Sequence, residues 1–94
     1  MTHEFKEMID DMHDELEGAH HYTELWHKFK GKDSDAENFR EMADQEMKHA
    51  QRFLEMGDRI VKKDGMTEAD KAIWHWEREK AEKRMAKIKG MMSM

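Results

Sequence analysis

Apolar residues recur at alternating steps of three and four through residues 5–29 and again through residues 36–60, a spacing that only an α-helix gathers onto one side. The first run reads Phe5, Met8, Met12, Glu15, Ala19, Tyr22, Trp26 and Phe29. The second reads Ala36, Phe39, Ala43, Glu46, Ala50, Phe53, Gly57 and Ile60. Each run is a seam of coiled-coil type, and each carries one glutamate where packing favours a hydrocarbon. A turn near Gly31 leaves Glu15 sixteen residues before it and Glu46 fifteen after it. An antiparallel hairpin therefore sets the two carboxylates side by side. His49 lies one turn beyond Glu46, at the flank of the same seam. Buried carboxylates without partners are costly, so this cluster calls for a cation or protons. It reads as half of a metal site.

Three helices account for nearly the whole chain, at about residues 2–30, 34–63 and 67–89 of a single 1–94 domain. Thr2 is the expected N-cap of the first helix, and Gly31 its stop. Ser34 with Glu37 forms a capping-box pattern for the second, which ends at Gly65. Thr67 with Asp70 opens the third, which stops before Gly90; the last residues carry no clear structural signal. That third helix has apolar residues scattered around it, Ile73, Trp74, Trp76, Ala81, Met85 and Ile88, and is expected to dock loosely on the hairpin or on another subunit.

Charge and composition narrow the functional classes. The chain has no proline, 41% charged residues and only 37% hydrophobic ones, which leaves a marginal core for one copy and makes oligomerisation a source of further burial. A net charge of −5 argues against general nucleic-acid binding. Residues 1–61 are net −8 and residues 62–94 net +3, so the front suits cations and the back an acidic neighbour such as another subunit. Cysteine is absent, which excludes thiolate metal sites and iron–sulfur clusters. No apolar run approaches the roughly 20 residues of a membrane span. With no charged-then-apolar leader either, a cytoplasmic location is expected.

Glu-x-x-His occurs three times, as Glu17/His20, Glu24/His27 and Glu46/His49, where chance gives about one, so helical phase must separate them. Only Glu46 falls on a seam. The series Asp10, His13, Glu17, His20, Glu24 and His27 lies opposite the first seam and reads as a solvated face. One chain offers two inward carboxylates and one imidazole. Di-iron carboxylate bundles take four glutamates and two histidines from four helices, so two copies about a two-fold axis complete the set. Oxygen and nitrogen donors suit iron or manganese, with zinc also accommodated. The methionines read mostly as core filling.

Glu15, six intervening residues and Tyr22, followed by Asp44-Gln-Glu46-Met-Lys-His49-Ala50, resembles the ferritin-like superfamily, including the first helical pair of rubrerythrins. The likeness covers about residues 10–57. Full ferritin-like chains hold two helix pairs, and this one holds a single pair, which resembles the encapsulated ferritins. The stretch Asp14-Glu15-Leu16-Glu17 with Tyr22 is similar to their pattern around the first ligand, although His21 stands where a tryptophan often precedes the tyrosine. The resemblance implies iron ligands at Glu15, Glu46 and His49, Tyr22 hydrogen-bonding near the site, and a cation-gathering role for Asp14 and Glu17. It also implies a ring of dimers inside an encapsulin shell. The tail Ile88-Lys-Gly90-Met-Met-Ser-Met only loosely resembles shell-targeting peptides.

The expectation is an all-α, ferritin-like antiparallel hairpin with a third C-terminal helix, completed to a four-helix bundle by homodimerisation. Its expected function is oxidation of Fe²⁺ by dioxygen at a di-iron centre shared by two subunits, with Glu15, Glu46, His49 and Tyr22 as the catalytic set, for iron storage as encapsulin cargo. A structural or adaptor bundle, or a metal-buffering protein without turnover, are the alternatives.

Overall fold

The Thr2 hydroxyl accepts a hydrogen bond from the Phe5 amide at 3.1 Å, capping the first helix where its amides have no helical partners. In the computed structural model, which describes residues 1–94, this helix, α1, spans His3–Phe29. α2 spans Ala36–Ile60 and α3 spans Glu68–Met92. Gly31 and Gly65 adopt φ of +76° and +92° in the two connections, a conformation that glycine reaches without the Cβ penalty of other residues. Thr67 caps α3 through the Asp70 amide at 3.0 Å, as its spacing predicts.

The Ser34–Glu37 box does not form. Asp35 takes the N-cap position of α2 without a side-chain capping bond, and the Asp33 carboxylate accepts from the Asp35 amide at 2.8 Å instead. α2 also stops earlier than the expected residue 63, at Ile60. α3 passes the expected stop before Gly90 and continues to Met92, so most of the tail is helical.

α1 and α2 pair along most of their lengths, and α3 returns antiparallel to α2 along one flank of the hairpin. Trp74, Ala81, Met85 and Ile88 are all buried, at steps of seven, four and three, so α3 is firmly docked on its own chain and not loosely attached. Trp74 fills the space above Gly57, where a Cβ would collide with its ring, and lies 5.6 Å from the Phe5 ring. Its indole N–H donates to Asp58 at 3.0 Å, and Arg78 donates to the same carboxylate at 2.9 Å. Arg78 also pairs with Glu82.

Docking of α3 moves the centre of the core. The fully buried positions of α1 are Phe5, Ile9, Met12, Leu16, Ala19 and Thr23, whereas Met8, Glu15, Tyr22 and Phe29 are half-buried at its edge. In α2, Met47, Ala50 and Leu54 are buried and Phe39, Glu46, Phe53 and Ile60 are half-buried. α3 covers the far flank of α1 and draws the packing toward itself. Part of each seam read from the sequence, Phe5, Met12 and Ala19 on α1 and Ala36, Ala43, Ala50 and Gly57 on α2, is buried, and the rest forms the rim of the core on the side that α3 leaves open. The same docking corrects the solvated face of α1. His13 Nε2 lies 2.5 Å from Glu77, and His27 Nε2 donates to the Met91 carbonyl at 2.5 Å, both partners on α3. No helix is long and apolar enough to cross a membrane.

Candidate metal centre

Glu15 stands near the middle of α1 and Glu46 near the middle of α2, and the hairpin brings them to one height, as counting from Gly31 requires. His49, one turn after Glu46, reaches the same point. Glu15, Glu46 and His49 each offer a ligand atom within 4.8 Å of the other two, and they are the one group of three or more potential ligands so placed. His49 Nδ1 lies 3.4 Å from Glu15 Oε2 and 4.0 Å from Glu46 Oε1. The glutamate side chains are about a quarter exposed and that of His49 about half, so the cluster opens on the side away from α3.

The electrostatics are those of two carboxylates that cannot both stay charged without help. A hydrogen bond with Glu15, followed by burial and by the repulsion of the Glu15 charge, pushes Glu46 up to about 7 from the usual 4.5; His49 opposes this. Such a pair holds either a shared proton or a cation. The donor set fits iron: two hard carboxylates and a borderline imidazole within reach of one point, with no thiolate. The backbone makes room for it. Gly18 lies under the Glu46 carboxylate, and a Cβ there would stand 3.0 Å from Oε2.

The other residues implicated by sequence lie apart from this cluster. Tyr22 is half-buried on the Glu15 stripe with its ring 5.9 Å from that of His21, and no hydrogen bond joins its hydroxyl to the three ligand candidates. Asp14 and Glu17 line a separate cleft of about 420 Å³ with Gly18, His20, His21 and Glu24. Of the three Glu-x-x-His pairs, Glu17/His20 borders that cleft, His27 serves α3, and only Glu46/His49 joins a carboxylate from another helix. Sequence reasoning missed Gly18, whose signal was a glycine inside an otherwise strong helix one turn after Glu15. It also missed Asp58 and Arg78, which clamp α3; Arg78 occupies a step of the buried α3 stripe, where a charge needs a partner.

The whole chain has no match among curated proteins or solved structures. The rubrerythrin family model matches residues 11–88, a span that begins before Glu15 and runs through α2 into most of α3. With its helical fold and its clustered carboxylates and histidine, the chain belongs to the rubrerythrin family, within the ferritin-like superfamily.

Proposed function

We propose that this protein is a ferroxidase, oxidising Fe²⁺ to Fe³⁺ with dioxygen at a di-iron centre shared by two copies of the chain. The observation that carries the reading is the convergence of Glu15, Glu46 and His49 from two helices on one point. One chain supplies half the ligands that a di-iron carboxylate site uses, and the half-open cluster is where a second copy would add the rest. Iron, once bound, supplies the electrons that dioxygen accepts.

The chain's own residues do the remaining work. Glu15 and Glu46 attract ferrous ions by charge, and binding releases the proton that Glu46 holds near neutrality. His49 provides a neutral nitrogen donor that limits the charge accumulated around the metal. Half-buried Met8, Tyr22, Phe39 and Phe53 flank the ligands along the same stripe, and a second copy would cover them together with the ligands. Asp14 and Glu17, in the neighbouring cleft, raise the local concentration of cations. Manganese or zinc can occupy the same donors without the oxidation.

Storage inside an encapsulin shell extends this reading. The tail that would address the shell is helical to Met92, with Ile88 buried and the Met91 carbonyl bound to His27. Shell docking would begin by freeing that last turn.

The test is an aerobic Fe²⁺ titration following oxygen uptake and ferric absorbance, with Glu46→Ala and His49→Ala beside the native protein. The expected result is rapid oxidation breaking near about one iron per chain, lost in both variants while their helical circular dichroism is kept. Oxidation no faster than in buffer would sink the assignment and favour a structural bundle. Tight ferrous binding without oxidation would favour a buffering protein.

A further inference from the structure

Three glycines lie inside the helices, and each meets a different environment. A Cβ at Gly57 would collide with the Trp74 ring, so that glycine admits α3. A Cβ at Gly90 would have nothing within 4 Å. The three atoms nearest a Cβ at Gly18 would all belong to Glu46: Oε2 at 3.0 Å, Cδ at 3.6 Å and Cγ at 3.7 Å. Gly18 sits in the middle of a helix of 27 residues, where glycine is the least favourable residue after proline. Neither a turn nor a positive φ requires it there.

We infer that Gly18 is the positioning residue for Glu46, its missing side chain letting that carboxylate lie against α1 beside Glu15 and so setting the width of the metal site. The inference rests on the reading of Glu15, Glu46 and His49 as the metal centre. Any other residue at position 18 forces Glu46 outward by a few tenths of an ångström, and a larger one by more. Ligand distances in a well-formed metal site lie within about 0.2 Å of their standard values, so a shift of this size is on the scale that matters. Gly18 touches neither metal nor substrate in this account. It acts through Glu46.

Helix propensity and ligand positioning make opposite demands at this position, which makes the inference testable. Ferrous affinity is measured by anaerobic calorimetry with Fe²⁺ alone, for the native protein, Gly18→Ala, Gly18→Val, Gly90→Ala, Gly90→Val and Glu46→Ala. Thermal unfolding without metal and sedimentation are recorded for each. The expected result is a graded loss, Gly18→Val binding roughly tenfold or more weakly, as for loss of a ligand's support, and Gly18→Ala between it and native. Gly18→Ala should meanwhile unfold at a higher temperature than native without metal, and both Gly90 variants should bind iron as native does. Gly18→Val binding within about twofold of native, while Glu46→Ala loses the metal, overturns the inference and leaves the metal centre standing. Equal binding by native and Glu46→Ala overturns the metal centre itself. Affinity loss in Gly18→Val accompanied by a change in oligomeric state assigns the glycine to a subunit contact and overturns the positioning role.

Discussion

Glu46 ties the stability of the fold to pH through its neighbour Glu15. Held beside Glu15, it keeps its proton up to about pH 7, where an ordinary glutamate loses it near 4.5. The folded chain thus binds this proton more tightly than the unfolded chain. Its contribution to stability is full below about pH 4.5 and lost as pH rises through 7. Asp58 has the opposite sign: hydrogen bonds from Arg78 hold its carboxyl below the ordinary 3.8, so its contribution is present above that value and lost as pH falls. Metal-free protein should therefore be most stable near pH 5 and lose on the order of 1 kcal/mol by pH 8, a figure reduced for the partial exposure of Glu46. Glu46→Gln keeps the hydrogen bond to Glu15 and removes the second charge. Urea unfolding of that variant should show a flat profile between pH 5 and 8 and greater stability than native at pH 8. Adding Zn²⁺ to the native protein should reverse its slope, because a cation replaces the proton. A native profile already flat without metal would mean that the two carboxylates do not share a proton.

At the level of helices, α3 decides which side of the hairpin is core and which is open. Trp74 is its anchor, 3% exposed, packed between Phe5 and Gly57 with its N–H on Asp58. Trp74→Ala removes a large buried ring and leaves a cavity above a glycine that cannot fill it, so a loss of about 3–5 kcal/mol is expected in urea unfolding. Trp76, 59% exposed two residues on, is the matched control, and Trp76→Ala should cost under about 0.5 kcal/mol. Similar losses for the two would place α3 differently. The pairing of α1 with α2 was legible in the sequence because its signals are local: seam spacing, the Thr2 cap, and a glycine turn from which heights can be counted. Those signals also sufficed to bring Glu15, Glu46 and His49 together. The docking of α3 was not legible. Its buried stripe is broken by Arg78, which needs Asp58 from another helix, and masked by the exposed Ile73 and Trp76. Where His13 and His27 point depends in turn on which flank α3 takes, a long-range choice that no local pattern encodes.

Considered whole, the molecule is a rod of 53 × 19 × 15 Å that exposes 6322 Å², against about 5,800 Å² for a compact monomer of its mass. Its radius of gyration is 15.4 Å, where about 12.4 Å suits a chain of this length packed as a globule. Met42, 37% exposed, and Met56, half-buried, lie one heptad either side of His49, so the candidate ligands share a stripe with these methionines on the side that α3 leaves bare. A second copy meeting this stripe would bury the methionines and bring its own Glu15, Glu46 and His49 to the first set, closing a four-helix bundle and supplying the missing ligands in one step. Dimerisation and ferrous binding would then be linked: with each chain holding half of a shared site, metal would tighten the dimer and dimer loss would weaken metal binding. The double variant Met42→Lys, Met56→Lys puts two like charges from each chain into that contact without touching a ligand. Native protein should sediment as twice the 11.4 kDa chain, and chelator should shift it toward single chains at low concentration. The double variant should sediment as single chains with its helical signal intact and bind Fe²⁺ at least roughly tenfold more weakly. Native protein that remains a single chain at every concentration, with or without Fe²⁺, would refute the shared centre. A double variant that falls apart but binds iron as tightly as native would show that one hairpin holds the metal alone.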